Sequence, residues 1–137
     1  YAGAPNLKLH TIHAHEHYQI GDIEFVPFRV MHDKMPILGY RFGKFAYITD
    51  MKSMGDEEYA YLDGVETLVI NALRFEKTHH SHQLVSDAIE VSRRIGAKHT
   101  YFIHVTHQIG FHDEANKRLP EGFEFGFDGM EIYVENR

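Results

Sequence analysis

Residues 67–73 read TLVINAL, an almost unbroken apolar run of strand length. Such a run marks a strand covered on both faces. Further on, Leu84, Ala88, Val91 and Ile95 recur at the helical period, with Val85 and Ile89 flanking the same side. That spacing predicts an amphipathic helix over 84–95. Gly96 stands just past its end, where a left-handed residue stops a helix. Ser81 is the expected N-cap, which places His82 in the first turn. The apolar stretch 100–105 then returns to the sheet. A strand, a helix and a strand in that order commit the chain to an α/β architecture.

The first half reads as strands. Residues 18–20 and 23–31 flank a tight turn at Gly21 and Asp22, and the alternation of the second strand breaks at Pro27. Residues 38–42 and 45–49 form a second expected hairpin, through Gly43 and Lys44. A short helix over 56–62 carries acidic residues in its first turn and stops at Gly64. Another, over 113–119, is closed by Pro120, and 123–127 with 130–134 reads as a terminal hairpin across Asp128 and Gly129. The expectation is a mixed β-sheet with covering helices, one domain over 1–137, and a loop-like segment over 1–17. That segment opens on Tyr1 without an initiator Met, as a piece of a longer sequence would.

Composition narrows the function. With 43% hydrophobic residues, 10 Phe and 8 Tyr, the chain can build a core, which excludes intrinsic disorder. The absence of Cys removes disulfide scaffolds, thiolate metal sites and Cys nucleophiles together. A net charge of −6 is the wrong sign for a protein that lives on nucleic acid. No apolar run approaches the ~18 residues of a membrane span, and no basic-then-apolar leader is seen. A cytoplasmic protein is expected. The unusual number is 12 His; protonating all of them would carry the charge from −6 to +6.

Four polar residues fall where an α/β sheet gathers its chemistry, at the carboxyl ends of strands. His32 follows one strand, Asp50 ends another, His104 lies near the end of a third, and His82 follows the fourth. Two imidazoles and a carboxylate suit Zn, Mn or Fe. Each position also has a plainer reading: Asp50 as a turn former, His82 as a helix-start residue, a lone His as a satisfied polar group. The positive end of a helix would favour an anion and disfavour imidazolium, making a neutral His82 a hydrogen-bond donor or acid–base partner. His107 is placed to orient a metal ligand from behind. His79 and His80 read as loop residues that position His82, and His99 and His112 as surface. His13, His15 and His17 would share one face of a strand, but with His10 they are expected in an exposed loop.

In series, these residues resemble the C-terminal half of the metallo-β-lactamase-fold hydrolases. The likeness is strongest to the branch of phosphoribosyl cyclic phosphodiesterases and tRNA 3′-processing endonucleases. His32 followed by Gly39, Tyr40 and Arg41 resembles that family's isolated-histidine motif. The strand ending in Asp50 resembles the one bearing its metal-bridging aspartate. Leu68 to Ala72, then His79 to His82, then His104 to His107 resembles the closing histidine motifs. The resemblance implies part of an αββα sandwich and a dinuclear, metal-dependent phosphodiesterase for small, cyclic phosphodiesters. His32 would serve one metal, His104 the other and Asp50 both, while His82 contacts or protonates the phosphate or leaving group.

The family's His-x-His-x-Asp-His signature is missing. His13, His15 and His17 imitate it poorly, lacking the Asp-His pair and preceding His32 by too little chain. Each metal would keep two protein ligands where a catalytic zinc usually has three, so this chain alone is expected to be inactive. The implied partners are a missing N-terminal half or a second copy, giving a homo-oligomer, and a small phosphodiester substrate. Membrane and nucleic acid are not expected. The competing expectations are a non-catalytic His-rich module for metal buffering or pH-dependent association, and a hydrolase of another substrate class on the same scaffold.

Overall fold

The computed structural model describes residues 2–135, so Tyr1 lies outside the described residues. They form one seven-stranded sheet whose spatial order repeats the chain order. The strands are β1 (Tyr18–Ile20), β2 (Ile23–His32), β3 (Met35–Phe42), β4 (Phe45–Ile48), β5 (Thr67–Asn71), β6 (His99–Ile103) and β7 (Phe123–Phe125). The first four pair antiparallel and the last four parallel, with β4 shared between the two sets. Turn chemistry explains the change. Gly21, Asp33 and Gly43 take positive φ in the tight turns that join β1 to β4. Parallel neighbours need longer crossovers, here a 3-10 helix (Asp56–Leu62), α1 (Val85–Ile95) and a segment carrying α2 (His112–Lys117).

One face of the sheet carries the core. Phe28, Val30, Ala46, Ile48, Leu68, Ile70 and Phe102 are fully buried there, with Leu62, Val85 and Ala88 packed over them. The Gly39–Tyr40–Arg41 segment owes much of its pattern to this packing. Gly39 pairs with Phe28 across β2 and β3, and a Cβ at Gly39 would stand 2.6 Å from two ring carbons of Phe28. Arg41 donates through Nε to Gly43 O and through Nη1 to Tyr61 O at 2.9 Å, so the hairpin end is tied to the 3-10 helix. Among the described residues no helix is long and apolar enough to cross a membrane.

Four expectations need correction. α1 starts at Val85 with Leu84 as its extended N-cap, whose N–H donates to the Asp87 carboxylate at 2.9 Å. Ser81 therefore caps nothing, and His82 lies in the preceding loop rather than in the first turn. The terminal hairpin does not form. Phe125 N–H is taken by Asn116 Oδ1 at 2.8 Å and its carbonyl by His112 Nε2 at 3.0 Å, so a strand from 130–134 finds that edge already bonded. His112 is thus a half-buried anchor and not a surface residue. Residues 2–17 hold neither helix nor strand, as expected, yet they are not free: His15 Nε2 lies 2.7 Å from Oε2 of buried Glu58, and its ring stacks on Tyr61.

Candidate metal centre

Because β2, β4, β5 and β6 run in the same direction, their carboxyl ends share one rim of the sheet. His32 is the last residue of β2, Asp50 lies two residues past β4, and His104 follows β6 directly. The loop after Asp50 folds back onto β2, with Lys52 N donating to Met31 O at 2.7 Å and Met31 N to Ser53 O at 2.8 Å. That return brings Asp50 beside His32. Asp50 and His104 both occupy the left-handed region, at φ 57° and 59°. Non-glycine residues hold that conformation at a cost, and such residues collect at functional sites.

Asp50 is the centre of the arrangement. Its Oδ1 lies 3.2 Å from His82 Nε2 and 3.5 Å from His104 Nε2, and Oδ2 accepts from the Thr49 hydroxyl at 3.2 Å. Partial burial works against ionisation of this carboxyl. The His82 hydrogen bond, the field of His104 and the Thr49 hydroxyl outweigh it and hold Asp50 below the ordinary carboxylate range. The His82 ring packs edge-on against His32, with centroids 4.9 Å apart, and stacks on His104 at 4.8 Å. His82 Nδ1 lies 3.1 Å from Ser81 Oγ and 3.3 Å from His79 Nδ1. The ionised Asp50 carboxylate can only accept, so in this contact the His82 ring carries a proton on Nε2, toward Asp50.

The donor set fits a metal. One ligand atom each from His32, Asp50 and His82 lie within 4.8 Å of one another, the spacing at which a single divalent ion can be shared. His32 donates from Nδ1 to Asp50 O at 2.8 Å, which fixes its ring and leaves Nε2 free, as metal-binding imidazoles are usually held. His104 reaches the same carboxylate from outside that trio. Around the site, desolvation and then the fields of His80, His82, Arg74 and Lys52 push the His79 imidazole below its usual pKa.

Of the residues singled out by sequence, His32, Asp50, His82 and His104 come together. His79 touches His82 and stacks on His80 at 4.4 Å, as expected of a positioning loop. His107 opens a 3-10 turn and is exposed; among the described residues no hydrogen bond or ring contact joins it to His104. His15 is committed to Glu58 and Tyr61. By sequence Asn71 enters only as part of the Leu68–Ala72 segment of the resemblance and Gln83 not at all, yet both are fully or almost fully buried and bonded to backbone beside the site. A lone amide inside an apolar strand was the available signal, because a buried amide must find partners.

The comparisons with known proteins agree with this geometry. A family model described as a beta-lactamase superfamily domain matches residues 1–105. The chain belongs to that superfamily. A solved diphosphatase from the PhnP family superposes with a TM-score of 0.88 at 36% identity, covering 94% of this chain and 50% of that one. The metallo-beta-lactamase fold protein YhfI from Bacillus subtilis matches at a TM-score of 0.64 and 14% identity, over 87% of this chain and 53% of its own. A Porphyromonas gingivalis protein named octanoyltransferase is 37% identical over all 137 residues, which make up 28% of its length. The chain therefore spans about half or less of each relative. Its sheet is that of the metallo-β-lactamase-fold hydrolases, a family whose fold implies divalent metal ions.

Proposed function

We propose that this chain is the C-terminal, metal-binding part of a dinuclear hydrolase that cleaves a small, cyclic phosphodiester. The observation that carries this reading is Asp50 itself, with His32 bonded to its carbonyl and within ligand-sharing distance of its carboxylate, and with His104 3.5 Å from that carboxylate, on the rim where an α/β sheet presents its catalytic groups. In a two-metal arrangement His32 would hold one ion, His104 the other and Asp50 both; bound Mn, Zn or Fe would supply a hydroxide at neutral pH and offset the charge that develops on the phosphoryl group. His82 carries its proton on the nitrogen that faces the site, so it can pass that proton to a phosphoryl oxygen or to the departing alkoxide. Thr49 and the Asp50 carbonyl hold the carboxylate and the His32 ring in place.

The PhnP-family relative is named a diphosphatase, and its likeness supports phosphoryl chemistry over other hydrolytic substrates. A net charge of −6 favours a small diester over a nucleic acid. The octanoyltransferase name belongs to a chain of which the match spans 28%. Ser81, His82 and Asp50 do form a Ser–His–Asp contact series, but Ser81 is 6% exposed, and its hydroxyl holds the His82 ring where no acyl group can reach it.

With two protein ligands for each metal, the site needs further donors from a covalently linked N-terminal half or from a second copy. The test is hydrolysis of bis-p-nitrophenyl phosphate with Mn²⁺ or Zn²⁺, by the longer protein and by the 137-residue chain in parallel. The longer protein should turn over the diester and lose that activity to EDTA, while the chain alone shows none. Metal-dependent hydrolysis by the chain alone would mean that its ligand set is complete, and the partial-site reading would fail.

A further inference from the structure

Asn71, at the last position of β5, is fully buried and touches none of the candidate ligands, yet the bonds of its side-chain amide and of its carbonyl end beside them. Its side-chain amide grips the Met51 peptide at two points: Oδ1 accepts from Met51 N at 2.9 Å and Nδ2 donates to Met51 O at 2.8 Å. Its carbonyl accepts from Gln83 Nε2 at 2.9 Å, and Gln83 N donates to Met51 O at 3.3 Å. In the sheet Asn71 is paired with Ile103, whose carbonyl accepts from Ala72 N at 3.0 Å. Met51 follows Asp50, Gln83 follows His82, and Ile103 precedes His104. Asn71 thus holds the immediate neighbours of Asp50 and His82, and Ala72 beside it holds that of His104. The fourth, His32, is held in turn by Asp50 O.

We infer that Asn71 and Gln83 are positioning residues that set Asp50, His82 and His104 against one another, an inference that rests on the metal-site reading above. The main chain around Asp50 cannot hold itself: its left-handed φ leaves the strand geometry just where the carboxylate must be aimed. A two-point amide clamp replaces the missing strand partner, and it does so in a dry environment where each bond is hard to surrender to water. Gln83 carries the same constraint across to the loop that presents His82. Leu73 extends it, with its N–H on Gln83 O at 3.0 Å and its carbonyl taking Thr106 N at 2.8 Å, so the segment after His104 is tied to the same strand end.

The working variant is Gln83→Met, which keeps the volume and removes the bond to Asn71. Asn71→Leu cuts deeper, leaving Met51 N unpaired in the core and Met51 O with only the bond from Gln83 N, and serves as the severe case. The control is Ser92→Ala, which breaks an equally buried 2.6 Å bond to Thr100 Oγ1 that touches no rim neighbour. Two readouts are taken on the 137-residue chain at fixed neutral pH: imidazole ¹⁵N–¹H correlation spectra without metal, and Co²⁺ titration followed by its visible absorption. In the parent the His82 ring should show one tautomer, protonated on Nε2. Gln83→Met, which loosens the loop behind His82, should mix the two tautomers. Asn71→Leu, which frees the residue after the Asp50 ligand, should in addition weaken Co²⁺ binding by about tenfold or more, the usual effect of losing a group behind a metal ligand. Ser92→Ala, at a similar loss of thermal stability, should change neither. A Gln83→Met chain that keeps the single tautomer overturns the inference, as does a Ser92→Ala chain that loses it. Where the parent chain, with two protein ligands for each metal, binds no Co²⁺, the tautomer comparison decides the lock by itself.

Discussion

Asp50→Asn is expected to abolish turnover in the complete protein almost entirely. The amide keeps the shape and the hydrogen bonds with Thr49, but a neutral group cannot bridge and neutralise two divalent cations. The loss should exceed the ~10²–10³ that removing a single transition-state hydrogen-bond donor costs. Bound metal, measured by elemental analysis, should fall with it. The variant also has a signature in the metal-free chain. Asp50 is held below its ordinary pKa, so its ionised form stabilises the fold above the unfolded value of about 4. That contribution is lost as pH falls through the lowered folded value. Asp50→Asn should therefore flatten this part of the acid limb of thermal stability against pH. Full activity in the Asn variant would remove the two-metal mechanism.

His82→Ala separates binding from proton transfer. His82 Nε2 lies 3.2 Å from the accepting Asp50 Oδ1, an arrangement suited to giving a proton rather than a lone pair. The complete protein should keep its metal content and lose ~10²–10⁴ in rate, the usual contribution of a positioned acid or base. The loss should shrink for substrates with better leaving groups, which need less protonation. If metal content falls in step with activity, His82 is a ligand, which the closeness of its ring to His32 and Asp50 would then explain.

Much of this site could be read from the chain because two simple regularities combine. Apolar runs of strand length locate the strand ends, and same-direction strands put those ends on one rim, so His32, Asp50 and His104 could be grouped before any coordinates. His82 was grouped with them correctly but for the wrong physical reason. The apolar spacing pointed to a helix from Leu84, and Ser81 looked like its cap, yet Asp87 caps Leu84 and frees Ser81 and His82 for the loop. Gly39 and Arg41, which carry part of the resemblance to the metallo-β-lactamase fold, pack and tie the hairpin. Other features left no periodic trace. The His15–Glu58 contact joins residues 43 apart, and the edge that β7 was to offer a hairpin is filled by side chains of α2. Pairings of that kind depend on which loops meet in space, and local pattern does not carry that information.

The central claim is that the rim formed by His32, Asp50 and His104 binds the metals. Anomalous diffraction from crystals grown with Mn²⁺ tests it most directly. The account predicts metal density at the Asp50 carboxylate, with one ion ~2.0–2.2 Å from its oxygen and from His32 Nε2, as ordinary His and carboxylate ligation requires. In the complete protein a second ion should lie against His104. Metal bound only among His10, His13 and His17, with no ion at the Asp50 carboxylate, would contradict it.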